Sequence, residues 1–150
     1  MTTVFDVPAQ PLITNLSLRL KADPKTAPPE WAPFVRTGVH TVKSPDNPDW
    51  WHIRVASILR KIYLHAPMGV ERLSAEYGGA RKRGSKPERA ESGSGSIVRK
   101  GLQRLEAAGL VSNIKGRGRT LTPKGRAMCD AAAHEVAKEL EKTIPALAKY

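Results

Sequence analysis

Few side chains in this 150-residue sequence are arranged to carry out a reaction. The four histidines (His40, His52, His65 and His134) and the lone Cys129 do not form the two closely spaced ligand pairs that a zinc site needs. Glu88, Glu91 and Glu106 are scattered among cations and make neither a paired-carboxylate nor a metal-binding pattern. Gly116-Arg117-Gly118 lacks the Lys-Ser/Thr of a phosphate-binding loop and reads as a turn. Cys129 follows small residues on a helix face and reads as a buried filler, not a nucleophile. His52 and His65 read as helix-surface residues. No catalytic residue, metal or cofactor is expected, and the chain does not read as an enzyme.

What the sequence concentrates is positive charge. The net charge is +11 and the pI about 10.2. Between Gly78 and Arg126 there are 13 Lys/Arg against three acids, whereas the other 101 residues are nearly balanced, with 12 Lys/Arg and 11 Asp/Glu. A surface made only for solubility would spread its excess. Charge gathered in one third of the chain points to a polyanion, either nucleic acid or an anionic membrane. No apolar run approaches the ~20 residues that span a bilayer, and the first residues lack a signal peptide's charged start and apolar stretch. The single cysteine leaves no internal disulfide. A cytoplasmic protein is expected.

The elements that must position these cations can be read in order. Val7 to Ala22 is expected as a helix, with Leu12, Ile13, Leu16 and Leu20 on one face and Pro8 and Pro11 in its first turn. A proline-rich connection follows, in which Trp31, Phe34 and Val35 could press an aromatic pair onto the core. Trp31, Trp50 and Trp51 could instead stack on bases. The core reading is the stronger, because no alternating aromatic strand accompanies them. Asp49 to Ala66 is a second helix, capped by Asp49, with Trp51, Val55, Ile58, Leu59 and Ile62 buried. Its other side carries Arg54, Lys61 and, on the flank, Arg60, either as a solvated face or as phosphate contacts. Val70 to Tyr77 is a short third helix, stopped by Gly78-Gly79.

Residues 78–95 contain no Leu, Ile, Val or Phe but hold Arg81, Lys82, Arg83, Lys86 and Arg89. With so little apolar surface to offset ordering entropy, this stretch is expected to be an irregular, flexible basic loop. Ser96 then caps a helix to Ala108, with Val98, Leu102 and Leu105 inward and Arg99, Lys100 and Arg104 outward. Leu110 to Ile114 and Arg119 to Leu121 are short strands around a Gly-rich turn carrying Lys115, Arg117 and Arg119. Thr122-Pro123 opens a last helix to about Thr143, with Met128, Ala132, Val136 and Leu140 in one stripe, and residues 144–150 form a tail.

Helix, short helix, loop, helix, two-stranded ribbon is the order of a winged helix-turn-helix. The expected fold is therefore mainly α, a single winged-helix domain over residues 1–150 with a small β-ribbon and added N- and C-terminal helices. Members that bind DNA place the third helix in the major groove. Here the loop before that helix is far longer than a three- or four-residue turn. The charge also covers loop, helix and wing alike, which suits the backbone-and-shape recognition of A-form RNA.

The combination Trp50-Trp51-His52-Ile53-Arg54-Val55-Ala56-Ser57, Tyr63-Leu64, Tyr77-Gly78-Gly79, Gly93-Ser94-Gly95-Ser96-Ile97-Val98-Arg99-Lys100, Leu102-Gln103-Arg104-Leu105-Glu106 and Leu121-Thr122-Pro123-Lys124-Gly125 resembles ribosomal protein nineteen of the archaeal and eukaryotic small-subunit series. Pro29-Glu30-Trp31 fits the same pattern, and the resemblance runs from Val4 to about Glu139. Ala90-Glu91-Ser92 departs from it, since members often carry an aromatic and an extra Arg there. The resemblance implies a structural constituent of the small ribosomal subunit, bound to small-subunit ribosomal RNA in the head of the particle. It also implies a role in maturation of that RNA and in subunit assembly. Arg54, Arg60, Arg99 and Lys100 match positions that supply basic contacts in the family.

Together these readings assign RNA contact to Arg54, Arg60, Lys61, Arg81, Lys82, Arg83, Lys86, Arg89, Arg99, Lys100, Arg104, Arg117 and Arg119. The expected partners are small-subunit rRNA and neighbouring ribosomal proteins, with a monomeric free chain and no membrane. The alternative is a DNA-binding winged-helix transcriptional regulator, which would form a homodimer and prefer a duplex sequence. An RNA-processing nuclease is a weaker third reading.

Overall fold

The computed structural model describes residues 2–144. Helix α1 (Ala9–Ala22) packs against both α2 (Trp50–His65) and α5 (Pro123–Thr143). Leu12, Leu16 and Leu20 of α1 are fully buried, as their spacing predicts. Pro8 takes the N-cap position and Pro11 sits in the first turn, where no helical N–H partner is lost. Helix α3 (Val70–Glu76) and α4 (Gly95–Ala107) pack together, and α4 also rests on α2. Gly101 makes that crossing close: a Cβ there would meet Ile58 Cδ1 at 3.2 Å and Val55 Cγ2 at 3.6 Å. Leu102 and Leu105 are fully sealed beside it, each contributing about 1.5–3 kcal/mol of burial. Val136 of α5 closes the same core.

Two antiparallel ribbons complete the chain. One is a hairpin of β1 (Gly79–Arg83) and β2 (Lys86–Glu91), inserted between α3 and α4. The other, β3 (Val111–Ile114) and β4 (Gly118–Leu121), is the wing. The wing leans on the turn between α2 and α3, where Met68 and Arg119 exchange both backbone hydrogen bonds, at 3.1 and 2.9 Å. Gly118, at φ +112°, permits this approach, since a Cβ would stand 2.7 Å from the Met68 carbonyl. The result is a mainly helical winged helix-turn-helix with α1 and α5 added to it.

Leu121-Thr122-Pro123-Lys124-Gly125 forms the joint between wing and last helix. Thr122 Oγ1 accepts from the Gly125 amide (3.2 Å) as the N-cap and donates to the Gly109 carbonyl (2.7 Å). Lys124 Nζ reaches the Ala108 carbonyl at 3.1 Å, neutralising the C-terminal end of α4. A Cβ on Gly125 would lie 2.2 Å from the Leu110 carbonyl oxygen, so this helix can seat only with glycine there.

Several expectations are corrected. Residues 78–95 are not an irregular loop, because a paired hairpin occupies most of them. The backbone ladder and a tightly packed root supply the order that apolar side chains do not. The cap of α4 is Ser94, not Ser96: Ser94 Oγ accepts from the Ile97 amide at 3.4 Å, while its own amide is held by the Thr37 carbonyl at 2.9 Å. Asp49 stands at the N-cap of α2 without capping it, because its backbone (φ −89°, ψ 12°) is not extended. Its carboxylate instead pairs with Lys21 Nζ at 2.9 Å. Phe34 is 85% exposed, so only Trp31 of the expected aromatic pair packs inward. His52 is buried, sharing the face of α2 that carries Val55, Ala56 and Leu59, and burial pushes its pKa down. His65 is exposed, as expected. Cys129 is fully buried, and burial pushes its thiol up to about 12. Most of the expected tail (residues 145–150) lies outside the described residues.

Candidate nucleic-acid interface

Helix α4 presents Arg99, Lys100 and Arg104 to solvent, opposite buried Val98, Leu102 and Leu105. This separation follows from 3.6-residue periodicity, which puts the apolar stripe on α2 and α3 and leaves the cations free. Only three residues separate β2 from α4, so the basic hairpin and the start of this helix arise from the same region.

Within the hairpin, the register places like charges directly opposite. Arg81 faces Arg89 and Arg83 faces Lys86, across a two-residue turn whose Gly84 adopts φ +69°. Like charges paired across strands are unfavourable, and an isolated two-stranded ribbon is at best marginally stable. The root compensates. The Gly93 amide donates to the Ser74 carbonyl at 2.8 Å, and Gly38 bridges Gly93 across the strand end. Gly78 lies so close to β2 that a Cβ would stand 2.2 Å from the Glu91 carbonyl oxygen. Arg81, Lys82, Arg83, Lys86 and Arg89 line a shallow cleft together with Glu91. Arg83 is half-buried and the other four cations are exposed.

Tyr77, which caps α3 immediately before the root, ties the hairpin to α2. Its ring lies 4.2 Å under the Arg54 guanidinium and 4.9 Å from Lys61 Nζ. Its hydroxyl pairs with Ser57 Oγ at 2.7 Å. Burial raises the Tyr77 pKa, offset in part by the Ser57 hydrogen bond and the Arg54 charge. Burial likewise lowers that of Arg54, which has a π face but makes no ion pair among the described residues. Lys61 differs, being ion-paired with Glu76. Arg60 is half-buried on the flank, with its Nε enclosed and unpartnered among the described residues.

The wing divides. Arg117 is exposed at the tip. Arg119 is turned inward, its Nε 2.7 Å from Glu106 Oε1 with only 16% of its side chain exposed, so it braces the wing against α4. The structure joins Arg54 and Lys61 at the Tyr77 ring and sets the five hairpin cations around one cleft, while Arg99 and Lys100 stand on the exposed face of α4. Arg119 stands apart from them. Sequence reasoning placed Tyr77 only at the end of the third helix and missed its role as the link. Its signal was a tyrosine directly before a double glycine, where an aromatic can reach two elements at once.

No group of three or more His, Cys, Asp or Glu among the described residues could hold a metal. Nor is any described helix long and apolar enough to cross a membrane. Fold and charge define a winged-helix protein with a basic hairpin built into its helix-turn-helix. The profile of the family described as Ribosomal protein S19e matches residues 3–139. Small ribosomal subunit protein eS19 of Aeropyrum pernix is 46% identical, over all of this chain and 99% of its own length. That of Thermoplasma acidophilum is 41% identical over the same shares. Small ribosomal subunit protein eS19A of Schizosaccharomyces pombe is 39% identical over 91% of this chain and 95% of its own. The chain belongs to the ribosomal protein S19e family.

Proposed function

We propose that the chain is a structural constituent of the small ribosomal subunit that binds small-subunit rRNA and supports rRNA maturation and subunit assembly. In this reading the hairpin cations, Arg54, Arg60, Lys61, Arg99, Lys100, Arg104 and Arg117 meet the RNA, and Arg119 acts by holding the wing. The observation that carries it is a cationic surface left without internal compensation. Of the thirteen candidate cations, only Lys61 and Arg119 make ion pairs among the described residues. Phosphates set a few ångströms apart along RNA supply the missing charge, and release of their counterions drives binding. The free chain is a monomer, it works in the cytoplasm on the ribosome, and no chemistry is performed.

High-salt washing of small subunits tests the assignment. The chain should cofractionate with the small subunit at low salt and appear among the proteins released at high salt. Its absence from that fraction, with selective binding to one DNA duplex as a homodimer, would favour the regulator instead. Within the interface, Arg99→Ala with Lys100→Ala should weaken rRNA binding and make its log–log salt dependence shallower by about 1.4–1.8, at roughly 0.7–0.9 per lost phosphate contact. Both side chains are exposed, so the melting temperature should hold; an equal fall in melting temperature would mark them as structural.

A further inference from the structure

Beside the Arg54 face of α2 lies a cleft of about 520 Å³ that the basic hairpin does not share. It is walled by α1, α2 and the connection of residues 37–47, and its size falls within the ~300–1,000 Å³ of sites that take small ligands. The geometry points to this cleft as the seat of one unstacked nucleotide, with its base against Ile53 and Trp50 and its phosphate between Lys43 and Arg54. The inference rests on the RNA-binding reading above and adds a site to it.

Three features of the lining select this ligand. First, two cations and no carboxylate contribute to it. Arg54 is half-buried with a tyrosine ring as its neighbour, and a desolvated charge left without a counterion gains much from an arriving anion. Lys43 is exposed and makes no ion pair among the described residues. Second, the cleft has apolar walls that a bare phosphate would leave unfilled. Ile53 is half-buried on the side of α2 away from the Val55–Leu59–Ile62 stripe, available to a flat aromatic body. Third, polar groups at the rim have unused capacity. Asn47 Oδ1 accepts from the Asp49 amide (2.9 Å), which leaves its side-chain N–H groups to donate. Thr41 Oγ1 donates to the Gly38 carbonyl (2.8 Å), which leaves its lone pairs to accept. A donor and an acceptor beside an apolar wall suit a base edge. Proteins that read RNA commonly take up such splayed bases from loops and bulges.

The test uses the full chain and two probes. In amide NMR titrations with uridine and adenosine 5′-monophosphate, shifts should centre on Thr41, Lys43, Asn47 and the Trp50 indole. Uridine or inorganic phosphate alone should bind more weakly. Ile53→Trp fills the cleft and should abolish these shifts; Lys43→Glu reverses a charge at an exposed position and should weaken them without touching the core. Both variants should also bind small-subunit rRNA less tightly, by about five- to 150-fold, the equivalent of one base-stacking contact. Unchanged rRNA affinity in the folded Lys43→Glu chain, or shifts confined to the hairpin, overturns the nucleotide seat while leaving the RNA reading intact. An unaltered chain that binds no rRNA defeats that reading itself. Mononucleotide seated in the cleft in that case assigns the site to a free nucleotide and overturns the RNA strand as its source.

Discussion

A chain carrying Arg81→Ser, Lys82→Ser, Arg83→Ser, Lys86→Ser and Arg89→Ser should fold normally and lose most of its low-salt affinity for small-subunit rRNA. Each phosphate contact contributes about 0.7–0.9 to the slope of log affinity against log salt. Removing five should make that slope shallower by about 3.5–4.5, the largest single change available on this surface. The register explains why stability should not suffer. Arg81 opposite Arg89 and Arg83 opposite Lys86 are repulsive pairs in the free protein, each costing a few tenths of a kcal/mol to about 1 kcal/mol. Their loss should leave the melting temperature unchanged or slightly raised. The hairpin's root, at Gly78, Gly93 and Ser74, uses none of these side chains. A salt slope equal to that of the unaltered chain would show that the hairpin points away from RNA, and the interface would then contract to α2 and α4.

Trp51→Ala should give the largest loss of stability, about 3–5 kcal/mol. The ring is 1% exposed and meets both Trp31 and Trp50 edge to face, at centroid distances of 5.9 Å. Its indole N–H donates to the Thr26 carbonyl at 3.1 Å, so truncation opens a cavity and also leaves a buried carbonyl without its donor. For a domain of this size the fall corresponds to roughly 6–20 °C in melting temperature. It consumes a large part of the ~5–15 kcal/mol by which such domains are stable. Chemical unfolding measures it directly. The same variant decides between the two roles the sequence leaves open for Trp51. A core tryptophan costs stability and leaves the RNA affinity of the folded fraction alone, whereas a base-stacking one does the reverse. With Trp51 sealed and bonded to Thr26, the first outcome is expected.

Particular residues show what could be read in advance. Leu12, Leu16 and Leu20, then Leu59, Leu102, Leu105 and Val136, recur at helical spacing, and burial follows from that spacing almost without regard to partners. The same periodicity exposes Arg99, Lys100 and Arg104. The hairpin was less legible. Gly84-Ser85 between two short runs is a turn signal, but the runs lack the alternating apolar residues that normally accompany it. Their pairing depends on a root formed by Gly38, Gly78, Gly79 and Gly93, which are up to 55 residues apart in the chain and meet only in the fold.

Arg119 and Arg117 make the contrast sharpest. They are two residues apart in one glycine-rich turn, and composition gives no reason to treat them differently. One is exposed, while the other is held by Glu106 of the preceding helix and by the backbone of Met68. Arg54 and Lys61 likewise look like members of one solvated row, until Tyr77 from the next helix stacks beneath both. By itself the sequence determined the helices, their buried stripes, the winged-helix order and the place where the charge gathers, because these follow from local periodicity and composition. Only the tertiary structure decided which cations are free and which are bound internally, that the basic tract is a rooted hairpin, and that a cleft opens beside Arg54. Those outcomes depend on contacts between distant residues, and neither spacing nor composition records such contacts.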